Sequence, residues 1–143
     1  MLKRSLFTAA VFAAGLIAGL AMKSATVLHA QPAQRVFEIR TYTTPEGKLD
    51  ALKARFRDHT VKLFEKHGMT NVGYWTPQDA PLSQNTLIYI LAHQSREAAK
   101  KSWDAFRSDP DWVKAKAASE VNGPLTTKVE SVFATPTDFS PMK

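Results

Sequence analysis

The 143 residues suffice for one domain with its own core and are too few for two comfortable ones. Nineteen Lys and Arg stand against 13 Asp and Glu, a net charge of +6. They are interleaved with the acids and form no dense basic block with aromatic partners, a pattern that argues against nucleic-acid binding. Cysteine is absent, so apolar packing must hold the fold and thiol chemistry is excluded.

The chain opens with basic Lys3 and Arg4, then an uncharged 18-residue apolar run from Ser5 to Met22, then Ala30 as a small residue for cleavage. This is the layout of a secretory signal peptide over residues 1–30. An uncleaved membrane anchor is the alternative. Leu28 stands where a small residue is usual, and 18 residues can just span a bilayer. In both cases Lys3 and Arg4 stay in the cytoplasm and the domain crosses. The expected location is therefore periplasmic or secreted, or membrane-anchored facing the outside, with membrane contact only if the segment is uncleaved. Loss of Lys3, Arg4 and Lys23 leaves 16 basic residues against 13 acidic, a mature charge of +3.

Residues 31–35 read as a linker, 36–134 as the domain and 135–143 as a tail. From Val36 to Thr43 the sequence alternates, with Phe37 and Ile39 on one face and Val36, Glu38, Arg40 and Tyr42 on the other. Thr44 and Pro45 suit the N-cap and first position of a helix. Its apolar stripe is Leu49, Leu52, Phe56, Leu63 and Phe64, with Arg55 among the charged residues assigned to the opposite side. Gly68 should end it, after Lys66 and His67.

Met69 to Trp75 and Thr86 to His93 read as strands joined by the turn-rich loop from Pro77 to Asn85. Ser95 caps a helix with Ala98, Ala99, Trp103 and Phe106 on its inner face, which Ser108-Asp109-Pro110 breaks. A further helix carries Trp112, Val113 and Ala117 up to Asn122-Gly123-Pro124. Leu125 to Ala134 alternates as the last strand.

The class is therefore α+β. The order is that of a ferredoxin-like βαββαβ sandwich with an extra helix before the last strand. Such a sandwich has helices on one face of its sheet only. Candidates for the bare face include Tyr42, Tyr74 or Trp75, and Tyr89 or Ile90, too much aromatic area to leave wet, so a homodimer is expected.

Glu38-Ile39-Arg40-Thr41-Tyr42, Gly47-Lys48-Leu49, Gly73-Tyr74-Trp75-Thr76, Pro81-Leu82 and Asp109-Pro110-Asp111-Trp112, in this order and approximate spacing, resemble the NIPSNAP family over about residues 36–134. The resemblance implies the dimeric α/β barrel version of the ferredoxin-like fold. It also implies a small-molecule site inside the barrel, in a superfamily that includes monooxygenases. The chain departs from the family pattern at Ala80, where Gly is usual, and at Leu91 and His93, where a Trp-x-Tyr pair is usual.

The residues suggest two chemistries. Arg40 with Tyr42 and Tyr89, and Trp75 at a strand end, could bind a small apolar or aromatic ligand bearing a carbonyl or an anion. The simplest explanation for Glu38 and Arg40, two apart on one strand face, is an ion pair with each other or with a neighbouring strand such as that of Lys128 and Glu130. For catalysis without a cofactor, as a monooxygenase-like or isomerase-like enzyme, His59 or His93 is the candidate base, with Arg40 and Tyr42 to steady a developing oxyanion, beside a helix-edge or strand-end packing role for each histidine. His59 and His67 lie about 12 Å apart along the helix, too far to share a metal. No metal cluster, phosphate loop or nucleophile elbow is present in the sequence, and neither metal nor cofactor is expected.

Overall fold

The computed structural model describes residues 35–143; the expected signal peptide or anchor over 1–30 and most of the linker lie outside them. Four strands, β1 (Val36–Thr43), β2 (Thr70–Trp75), β3 (Thr86–His93) and β4 (Lys128–Ala134), form one antiparallel sheet in the order β2-β3-β1-β4. The first helical rod is α1 (Leu49–Arg55), a π-helical turn (Phe56–Thr60) and α2 (Val61–Lys66). Two further helices, α3 (Arg96–Ser108) and α4 (Pro110–Ser119), separate β3 from β4. Among the described residues no helix is long and apolar enough to cross a membrane.

Local chemistry sets most of the boundaries. Ser95 Oγ accepts from the Ala98 amide at 3.1 Å to start α3, and Asp109 Oδ1 accepts from the Asp111 amide at 2.8 Å to start α4, with Pro110 at its first position. Gly68, at φ 76°, lets the chain turn off α2 while the Met69 amide donates to the Phe64 carbonyl at 2.9 Å. The start of α1 differs from expectation. Thr44 to Lys48 form a turn through Gly47 at φ 71°, and the helix begins at Leu49. Thr44 is instead tied to the sheet, its amide donating to the Asn85 carbonyl at 2.8 Å. The last strand begins at Lys128, three residues later than its alternation suggests.

The core lies between the sheet and the helices. Leu52, Phe56 and Phe64 from the first rod, Leu87, Tyr89 and Leu91 from β3, and Trp103 and Phe106 from α3 are all buried. Phe64 packs against Phe56, Tyr89, Trp103 and Phe106, so one side chain joins three elements. Complete burial of a side chain such as Leu52 contributes roughly 1.5–3 kcal/mol.

Register assigns each side chain to a face. Tyr42 pairs with Leu87, Arg40 with Tyr89, Glu38 with Leu91 and Tyr74 with Tyr89, and all of these point to the helices. Ile39 pairs with Ile90 and Val132, and Trp75 with Ile88, on the other face. No helix of the described residues covers that face. Part of it lies under the tail, where Pro136, Ser140 and Met142 line a hollow with Phe37, Ile39 and Ile90.

Candidate functional site

Glu38 is the centre of the helix-facing side. It is 1% exposed, and its carboxylate accepts from four side chains on four elements. Arg40 Nη1 and Ser131 Oγ donate to Oε1 at 2.5 and 2.6 Å. Trp103 Nε1 and His93 Nε2 reach Oε2 at 2.7 and 3.1 Å. An ionised carboxylate can only accept, so His93 carries its hydrogen on Nε2. Burial pushes the Glu38 carboxyl up, but the hydrogen bonds from His93, Ser131, Trp103 and Arg40 outweigh it and hold the pKa at about 2. So strongly stabilised a carboxylate is a poor base. Its work is to hold Arg40 and His93 in place.

Arg40 continues the network. Its guanidinium lies 4.3 Å from the centre of the Trp103 ring and 5.5 Å from that of Tyr42. Nη2 donates to Tyr42 Oη at 3.4 Å, a long contact, and Tyr89 Oη donates to the same oxygen at 2.9 Å. Burial raises the pKa of Tyr89 well above the usual phenol value and also raises that of Tyr74, so both rings are neutral donors. Arg40 is held protonated: the pull of burial is outweighed by Tyr89, Tyr42 and Glu38.

Next to Tyr42 lies a cavity of about 180 Å³ between sheet and helices. Its walls are aromatic, with Tyr42, Phe56, Phe64, Phe106 and Trp112, and its polar lining is Arg55, Thr60, Lys116, Glu120 and Thr126. The π-helical turn forms one side of it. The Val61 amide donates to the Phe56 carbonyl five residues back, and Thr60 Oγ1 donates to the Arg55 carbonyl at 3.2 Å. Such turns accommodate one extra residue in a helix and often mark functional sites.

Of the residues singled out in the sequence, Arg40, Tyr42 and Tyr89 meet in this network, and Glu38 adds His93 to it. Arg40 and Tyr42 do not face the open side, as the dimer argument had it. The ionic and phenolic groups bond to one another under the helices, with Arg40 Nε and His93 Nδ1 left without a partner, while Ile39, Ile90 and Val132 occupy the bare face. Trp75 lies apart from the others on that face and is 49% exposed, its ring over Gly73. His59 is exposed on the outer side of the π-helical turn and lines an open groove with Asp58, Lys62 and Asp111. Neither His59 nor His93 lines the cavity beside Tyr42. Among the described residues no group of three or more His, Asp or Glu could hold a metal.

Sequence reasoning missed Arg55. It is 5% exposed, not solvated, and Nη1 donates to Glu120 Oε1 at 2.8 Å and Ser119 Oγ at 3.3 Å. The available signal was its place three residues after Leu52, on the same helix face. Glu120 and Ser119, from the end of α4, could not be connected to it without the packing of α1 against α4.

Comparison with known structures finds the same fold in solved proteins. The chain is similar to a NIPSNAP family protein with unknown function from Agrobacterium tumefaciens str. C58, at 23% identity and a TM-score of 0.68 over 79% of this chain and 97% of that one. A NIPSNAP-like domain protein from Burkholderia xenovorans aligns at 16% identity and a TM-score of 0.65, over 76% and 90%. SnoaB, a cofactor-independent oxygenase from Streptomyces nogalater, aligns at 15% identity and a TM-score of 0.52, over 76% and 99%. At such identities the likeness shows the fold alone. No curated protein matches the sequence. The family model for NIPSNAP matches residues 37–141, nearly all of the described chain, and the chain belongs to the NIPSNAP family.

Proposed function

We propose that this is an exported, homodimeric NIPSNAP domain that binds a small apolar or aromatic molecule. The ligand site is the cavity beside Tyr42, on the helix side of each sheet. The strand order and the one-sided helices support a ferredoxin-like sandwich, two copies of which would close into a dimeric α/β barrel through the bare faces. The observation that carries the reading is the cavity itself: five aromatic rings around about 180 Å³, next to a phenol already oriented by Arg40 and Tyr89. Pockets for drug-sized ligands run to roughly 300–1,000 Å³, so this one suits a molecule of one or two rings. Tyr42 accepts from two donors, which leaves its own hydroxyl hydrogen to offer to a ligand. The test is a thermal-shift and calorimetric screen of one- and two-ring aromatics. Thr126→Phe, which fills the cavity, should bind none of the hits while remaining folded. Equal binding by that variant would move the site elsewhere.

A second reading, a cofactor-independent oxygenase, draws on the fold shared with SnoaB and on the buried His93-Glu38 pair. The absence of His59 and His93 from the cavity walls weighs against it. Oxygen uptake with quinols as substrates, abolished by His93→Ala or His59→Ala, would favour it over simple binding.

A further inference from the structure

The cavity carries more chemical information than its size. Arg55 enters its wall from the last residue of α1, directly before the π-helical turn, and its side chain is 4% exposed. One edge of the guanidinium is used: Nη1 reaches Glu120 and Ser119. Its plane lies near Trp112, with 5.2 Å from Cζ to the ring centre. Nε, also buried, finds no hydrogen-bond partner in the protein. A desolvated N–H on a cation is a strong donor, and buried donors of this kind are normally satisfied. The charges around the cavity favour the same kind of partner, since Arg55 and Lys116 oppose the single carboxylate of Glu120.

We infer that Arg55 Nε is the anchor for the acidic group of the ligand, and that the ligand class is a small aromatic carboxylate. The carboxylate accepts from Nε–H while the ring lies among Phe56, Phe106 and Trp112. This rests on the proposed ligand role of the cavity and sharpens it from apolar or aromatic to anionic aromatic. The π-helical turn contributes by position: it follows Arg55 immediately, and Thr60, its last residue, holds the Arg55 carbonyl. A cation with one unpartnered N–H discriminates an acceptor-bearing ring from a bare one, which aromatic walls alone do not.

Calorimetric titration of the purified full chain with benzoate and with toluene, rings of matching size, tests the inference. Benzoate should bind about tenfold more tightly or better, as expected for a hydrogen bond to a charged group. Arg55→Lys keeps a cation opposite Glu120 but removes the Nε donor, and should lose most of that preference while binding toluene as the unmodified chain does. If that variant does not fold, Arg55→Gln combined with Glu120→Gln removes the buried pair together and leaves no lone charge. Toluene bound as tightly as benzoate, or a benzoate preference that survives both variants, overturns the anchor role and leaves the cavity as a ligand site. Failure of both probes and of the wider aromatic screen overturns the cavity reading as well.

Discussion

The two faces of the sheet solve opposite problems. The helix side buries an acid, a guanidinium and a histidine, and holds them because four donors converge on Glu38. The open side carries Ile39, Val132 and Trp75, apolar and exposed by 36, 61 and 49%, with the Lys128–Glu130 ion pair at one end of the same face. A polar interior is specific because an unmatched partner is costly there, while an apolar exposed face is permissive and waits for a cover. The same strand, β1, serves both faces through its period of two.

The sharpest way to break this contrast is Glu38→Ala. It strands Arg40, His93 and Trp103 without their acceptor, and should cost about 3–5 kcal/mol in urea unfolding. A loss below 1 kcal/mol would mean that the network is decorative. Acid should act on the same face more gently. With the Glu38 carboxyl at about 2 in the folded state against 4.5 ordinarily, its contribution is complete above pH 5 and is lost as pH falls from 4.5 towards 2. The loss amounts to about 3 kcal/mol, and Glu38→Gln should flatten that part of the pH profile.

On the open face the effects should fall on association. Val132→Asp places a charge on an exposed position and should cost the folded chain less than about 0.5 kcal/mol. It should nonetheless convert the proposed dimer to a monomer in sedimentation. A variant that remains dimeric would place the interface elsewhere. Gly73→Ala tests the packing there: an added Cβ would stand 2.5 Å from the Trp75 ring, which has to swing away. About 1 kcal/mol of stability and a change in Trp75 fluorescence are expected, since the ring is half exposed and can move. The most local effect returns to the helix side. Ser95→Ala removes the cap of α3 at about 1 kcal/mol or less, with no change in association.

Much of this was legible beforehand because it is local. Alternation from Val36 to Thr43, the Ser95 cap, the Asp109-Pro110 restart and the Gly68 stop each depend on a few neighbouring residues, and the structure shows each in place. The Thr44-Pro45 start was misread for the same reason. Those residues suit a cap, but the sheet claims the Thr44 amide through Asn85, a contact 41 positions away. Arg55 was misread because helical spacing shows which residues share a face and not whether that face is covered. The packing of α4 on α1 decides that.

By itself, then, the sequence determined the order of strands and helices and the family, carried by periodicity, capping chemistry and short motifs, and offered a Glu38-Arg40 pair as one reading among others. Only the tertiary structure decided which face of β1 the helices would cover. Alternation defines two faces and is silent on which is inside. The polar face went inside because four donors from four elements converge on one carboxylate, and a convergence of that kind exists only once the chain has folded.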